Sequence, residues 1–231
     1  MTNREKILAG AAEASAGSIR LVCFAVKEEA AFFRPWASTR PDIQLLVTGM
    51  GRKNAVEAFL KALSSGRPRW VLTCGFAGGL DPALKCGDVV YETDDAAGLQ
   101  ESLARSGARA GRYHCVDSVA VTAASKLELR RQTGADSVEM ESGAIRAIAR
   151  DKGIPSATLR VILDAAGEDL PLDFNRLMTP DMRVDPVKLG LFLATSPGRI
   201  PSLIRFRKQT QLAARALARV LERVLAHSEP L

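Results

Sequence analysis

Apolar runs of strand length recur along this chain with helical segments between them, and that alternation constrains the fold most. IRLVCFAV (19–26), IQLLVT (43–48), WVLTC (70–74), DVVYE (88–92) and ATLRVIL (157–163) are five to eight residues long and rich in strand formers. Runs apolar at nearly every position suit strands buried on both faces. The intervening segments NAVEAFLKAL (54–63), SKLELRRQT (125–133) and SGAIRAIARDKG (142–153) have helical spacing. Asn54 is placed as a cap of the first, Ser125 with Glu128 as a capping box of the second, and Gly153 as the close of the third. A further helix is expected around 97–105, a strand over 114–122 and a short strand at DSVEME (136–141). Strands alternating with helices predict an α/β sheet covered on both faces.

With 231 residues the chain fits one domain of the larger α/β kind. Residues 1–18 read as a loose or helical leader, and 19–231 as a single domain ending in a basic amphipathic helix at about 201–227. Leu203, Ile204, Leu212, Leu217, Val220, Leu221 and Val224 form the apolar side of that helix. The net charge of +6 favours anionic partners, phosphate among them. Nucleic acid is not among the expected partners, because no zinc finger, RRM signature or helix-turn-helix pattern occurs. Cys23, Cys74, Cys86 and Cys115 form no C-x-x-C pair, and His114 and His227 are too few and scattered for a metal cluster. The expectation is a protein of the reducing cytoplasm, with no metal and no cofactor.

The functional signal lies at strand ends, where α/β folds place their sites. Glu29, the Gly49–Gly51 turn, the Gly75–Gly79 turn, Glu141 and Asp164 all fall just past predicted strands. GMGRKN lacks the third glycine of a dinucleotide fingerprint, and no P-loop occurs. The glycine turns serve either as anion-presenting backbone or simply as tight turns. Each carboxylate alone could be a salt-bridged surface group. Together the three suggest acid/base work on a sugar bond, whose oxocarbenium-like transition state needs negative charge nearby and an acid for the leaving group. Met140, beside Glu141, either packs on a ribose or fills a core gap.

AVKEEA (25–30), VTGMGRKNA (47–55), CGFAGGLDPALKCGDVV (74–90), SVEMES (137–142) and RVILDAA (160–166) together resemble the purine nucleoside phosphorylases and nucleosidases. That family includes the 5′-methylthioadenosine/S-adenosylhomocysteine nucleosidases and the hopanoid-associated nucleoside phosphorylases, and the tail is more similar to the latter. The resemblance implies a three-layer α/β/α fold with a mixed central sheet, phosphorylase/hydrolase-like, and cleavage of the N-glycosidic bond of a purine, expected to be adenine. It makes Asp164 the acid at N7 of the base, Glu141 the holder of the ribose hydroxyls, Met140 the residue under the sugar, and Glu29 the carboxylate that directs water. Glu139, Phe76, Ala77, Gly78 and Gly51 are expected to line the ligand. Arg52 is the candidate holder of phosphate, which would be a co-substrate if the enzyme is a phosphorylase. A nucleoside-binding module without turnover is the alternative.

Three departures from the family pattern stand out. Leu163 occupies the place of a serine, Phe76 sits in the GFAGG turn, and the segment between Asp88 and Glu139 is short. Shortening should open the 5′ side of the pocket to a bulky apolar substituent such as that of an adenosylated hopanoid. The basic tail would then touch an anionic membrane surface, placing the protein at the inner membrane periphery. The family also implies a homo-oligomer, a dimer or higher.

Overall fold

The computed structural model describes residues 19–94 and 97–226. The leader expected over 1–18, and His227 with the residues after it, lie outside the described residues. The strands are β1 (Arg20–Phe24), β2 (Ile43–Val47), β3 (Trp70–Gly79), β4 (Val89–Thr93), β5 (Arg109–Ala110), β6 (Tyr113–Cys115), β7 (Ser137–Glu139) and β8 (Ser156–Asp164). They form one sheet in the order β2-β1-β3-β8-β4-β5, with β7 beside the end of β3 and β6 beside β7. The central strands run parallel, while β4 is antiparallel to β8 and β7 is antiparallel to β3, so the sheet is mixed.

Successive strand side chains point to opposite faces. In β1, Val22 and Phe24 join one core with Leu72, Leu159 and, from the C-terminal helix, Leu217, Leu221 and Val224. Leu21 and Cys23 join another with Ala55 and Phe59 of α3 (Arg52–Ser64) and Ile145 and Ala149 of α6 (Ser142–Asp151). Helices thus cover both faces, giving the three layers expected. The remaining helices are α1 (Lys27–Ala30), α2 (Arg34–Ala37), α4 (Gln100–Arg105), α5 (Ala123–Thr133), α7 (Phe174–Leu177), α8 (Pro186–Thr195) and α9 (Ile200–Ala226).

Several local expectations are corrected. β3 does not stop at Gly75 but runs on to Gly79, pairing with β8 as far as Asp164 through one register shift after Ala77. The cap of α3 is Gly51, at φ +84; Asn54 lies inside the first turn and donates to the carbonyls of Met50 and Asp181. Thr122, not Ser125, caps α5: its hydroxyl accepts the Ser125 N–H at 3.1 Å, and Ser125 Oγ accepts the Thr122 N–H at 3.2 Å. Of the strand expected over 114–122 only His114 and Cys115 pair, as part of β6. Beyond it Val119 bonds the Asn175 side chain and Val121 accepts from Leu170, so that backbone answers a loop instead of a ladder.

The tail helix forms, but its apolar side is divided. Leu217, Val220, Leu221 and Val224 are in the core, whereas Ile204 and Leu212 are exposed. The first turns of α9 pass beyond the sheet, where Phe206 and Thr210 meet a pocket. No helix among the described residues is long and apolar enough to cross a membrane.

Leu221→Ala should therefore cost about 2–4 kcal/mol in urea unfolding, as a buried leucine does. Ile204→Ala should stay within about 0.5 kcal/mol. Equal effects would mean that the two halves of α9 are equally anchored.

Candidate active site

Glu29 reaches its place through local capping. It is the third residue of α1, and its Oε2 accepts the N–H groups of Ala25 (2.8 Å) and Val26 (3.0 Å) at that helix start. Its Oε1 accepts the Phe76 N–H of β3 at 2.7 Å, so one carboxylate joins the end of β1 to β3. A Cβ on Gly75 would collide with this carboxylate and with the Arg160 guanidinium, which is why a glycine stands there.

Arg160 is the centre of the site. It lies in mid β8 and is 1% exposed. Its Nη2 donates to Glu139 Oε2 at 2.5 Å and lies 3.8 Å from Glu141 Oε2, while Nε and Nη1 have no hydrogen-bond partner within the protein. Burial works against its charge, but Glu139, Glu141 and Glu29 outweigh that and keep it protonated.

The three carboxylates around it respond differently. Glu139 accepts from the N–H groups of Glu141 (2.9 Å) and Ser142 (2.8 Å) and from Ser142 Oγ (2.8 Å). Burial would raise its carboxyl, yet Arg160 and these donors hold it below the usual range. Glu141 caps α6 and accepts the Gly51 N–H at 2.8 Å. Burial pushes it up to about 7, with Glu139 and Glu29 adding repulsion against the pull of Arg160. Burial also raises Glu29, against Arg160 and its three backbone donors. Asp164 ends β8 in an ion pair with the buried Lys126 of α5; burial raises its carboxyl in spite of that cation.

These groups meet in a pocket of about 420 Å³. Of the residues expected at a ligand, Glu29, Phe76, Ala77, Gly78, Glu139, Met140, Glu141 and Asp164 all line it. The carboxylate of Glu139 is taken up by Arg160 and the start of α6, so that residue acts as scaffold. Gly51 contributes its N–H to Glu141 and does not line the wall. Arg52 is placed elsewhere: its side chain is 57% exposed and paired with Asp117 at 3.2 Å. Val116, Val119, Ala120, Leu163, Leu170, Phe174 and Phe206 make up an apolar wall.

Arg160 and Lys126 were not singled out from the sequence. For Arg160 a signal existed, because a cation inside an otherwise apolar run must find buried anions. Lys126 looks like one more polar residue of an exposed helix.

Comparison with known proteins follows this geometry. The family model of the phosphorylase superfamily matches residues 27–98 and 95–184. The chain belongs to the phosphorylase superfamily. The matched stretch of this superfamily member holds Glu29, Glu139, Glu141, Arg160 and Asp164. A 5′-methylthioadenosine/S-adenosylhomocysteine nucleosidase of Marinomonas sp. is 25% identical over 171 residues, 59% of this chain and 74% of that protein. One from Geobacillus kaustophilus is 26% identical over 170 residues, 58% of this chain and 72% of its own length. Among solved structures, futalosine hydrolase of Helicobacter pylori superposes with a TM-score of 0.67 at 15% identity, over 90% of this chain and 98% of that one. The Neisseria meningitidis 5′-methylthioadenosine/S-adenosylhomocysteine nucleosidase, in complex with methylthio-immucillin-A, gives a TM-score of 0.64 at 19% identity, over 90% and 98% of the two chains. At these identities the structures show a common fold.

The superfamily pocket carries a stability signature. Glu141 binds its proton more tightly in the folded chain, up to about 7, than at its ordinary 4.5. A carboxyl raised in this way withdraws stability as pH climbs from the unfolded to the folded value, because over that range the unfolded chain gives up a proton that the folded chain still holds. Glu141→Gln should lose less stability than the parent between pH 5 and pH 8, by on the order of 2 kcal/mol in urea unfolding. Parallel pH curves would show that Glu141 is ionised throughout.

Proposed function

We propose that this chain hydrolyses the N-glycosidic bond of a purine nucleoside. The observation that carries the reading is the convergence of Glu29, Glu141 and Asp164, from three different strand ends, on one largely apolar pocket. Each supplies something the reaction needs. As the C1′–N9 bond breaks, its electrons move into the base and positive charge grows on the ribose. Asp164 passes a proton to N7, so the base leaves neutral. Glu141, with Met140 beneath the sugar, holds the ribose hydroxyls and faces the developing charge. Water adds its oxygen to C1′ and gives its proton to Glu29. The relatives named as nucleosidases support this reading, and with it adenine as the base.

Water is favoured over phosphate by the pocket lining. Among the described residues no lysine or arginine side chain lines the pocket, and Arg52 is turned to the surface. A phosphate dianion there would lack a facing cation, whereas Glu29 suits a water molecule.

The apolar wall supports a finer reading, in which the 5′ group is bulky and apolar and an adenosylated hopanoid is one candidate. Membrane contact belongs to the same reading, on the first turns of the expected tail helix together with α8. Val187, Leu191, Ile200 and Ile204 are exposed on α8 and the first turns of α9. Arg199, Arg205, Arg207 and Lys208 are exposed beside them, and no acidic residue occurs from Val187 to Leu221. Such a surface should bind anionic vesicles at low salt and release them as salt rises; no cosedimentation at low salt would remove the membrane contact.

Incubation with 5′-methylthioadenosine, S-adenosylhomocysteine, adenosine and inosine, with and without phosphate, tests the activity by chromatography of free base. Release without phosphate is expected, with Asp164→Asn slower by about 10²–10⁴-fold. Release only with phosphate would replace hydrolysis by phosphorolysis. If none of these, nor a nucleoside with a large apolar 5′ group, yields base, the reading fails.

A further inference from the structure

Lys126 is the buried residue of α5, with 0% of it exposed. Its ammonium has three N–H bonds and three acceptors: the Asp164 carboxylate, the Ala165 carbonyl at 2.9 Å and the Glu168 carbonyl at 2.7 Å. No donor is left over, so the group sits there as a cation. Burying an ammonium and a carboxylate together carries a desolvation cost that their attraction seldom exceeds, and well-packed apolar residues of like volume stabilise a fold as well or better. Stability alone therefore does not account for this pair. It lies directly behind a pocket-lining acid, where Gly78 leaves no side chain between β3 and Asp164; a Cβ on that glycine would stand 3.5 Å from Oδ2.

We propose that Lys126 is a positioning residue that makes Asp164 a competent acid for the leaving base. The inference rests on the nucleosidase reading above. When Asp164 gives its proton to N7, a carboxylate is left behind in an apolar pocket. With Lys126 in place that carboxylate forms beside an ammonium already held by two carbonyls, so no dipole has to reorganise during the transfer. Burial raises the Asp164 carboxyl, and Lys126 pulls it back down. An acid works best when these opposing effects nearly balance at the working pH. The other titratable groups near Asp164 are Glu168, whose carboxylate accepts the Ala165 N–H at 3.2 Å, and Cys86. The carbonyl contacts also join α5 to the Ala165–Glu168 turn that follows the acid.

The test separates help to the acid from help to the fold by changing the leaving group. Lys126→Met is assayed on a purine nucleoside, whose base needs a proton, and on p-nitrophenyl ribofuranoside, whose phenolate departs without one. The expected result is a fall in kcat of about 100-fold or more on the nucleoside and no more than about threefold on the nitrophenyl riboside. Similar losses on both substrates, or no loss on either, would overturn the proposal. The Lys126→Met/Asp164→Asn double variant leaves no unpaired buried charge. If Lys126 acts through Asp164, the double variant retains the activity of Asp164→Asn alone on the nucleoside; a further drop would overturn the proposal, as would loss of fold in both variants. Wild-type protein that releases neither base nor nitrophenolate would sink the nucleosidase reading and this inference with it. Equal losses sink the inference alone.

Discussion

One buried guanidinium organises this molecule. Arg160 stands in the middle strand of the sheet with Glu139, Glu141 and Glu29 around it. Were all three ionised, the cluster would hold two negative charges in excess, out of reach of water. The fold resolves this unequally. Glu139 receives the 2.5 Å contact to Arg160 and the donors at the start of α6, and stays charged. Glu141 and Glu29 share what attraction remains, so both hold protons more tightly than an exposed glutamate. On the nucleosidase reading proposed above, positive charge growing on a bound ribose would supply what this cluster lacks, and a cationic transition state would gain more there than a neutral substrate.

That cluster can form because β3 carries glycine where charge must pass. At Gly75 any side chain would strike both Glu29 and Arg160, and at Gly78 it would crowd Val138. A strand interrupted by glycines is weakened as a strand. Here its pairing with β8 as far as Gly78, and with β7 at Gly78 and Gly79, holds it in line. The glycines are therefore passages inside a continuous strand, where spacing alone suggested a turn.

This difference shows which parts were legible in the sequence. β1 and β8 could be read because burial on both faces leaves a nearly continuous apolar run. Glu29, Glu141 and Asp164 could be read because strand ends are where such folds place their chemistry. What resisted reading depends on contacts between distant segments. Nothing local says that the turn after Asp164 closes over α5 and turns Lys126 from a surface lysine into a buried one. Likewise HCVDSVAVT (114–122) has the look of a strand, but Val116, Val119 and Ala120 face a pocket, and the backbone of Val119 and Val121 is tied to Asn175 and Leu170. Alternation reports a buried face without saying what buries it.

The tail then links stability to the shape of the pocket. α9 has 27 residues, a span of roughly 40 Å. From Ala213 onward it is packed on the sheet, while seven residues earlier Phe206 faces the pocket and meets the Phe174 ring at a centroid distance of 5.7 Å. A helix anchored over its second half is stiff enough to set where its first half projects. Phe206 of α9, with Phe174 and Met178 from and just after α7, lines the pocket beside Val116, Val119 and Ala120. The same packing that stabilises the sheet therefore fixes the apolar side of the pocket. A substrate with a larger apolar group would have to be accommodated by changing residues on the free half of α9, since the anchored half cannot move without opening the core.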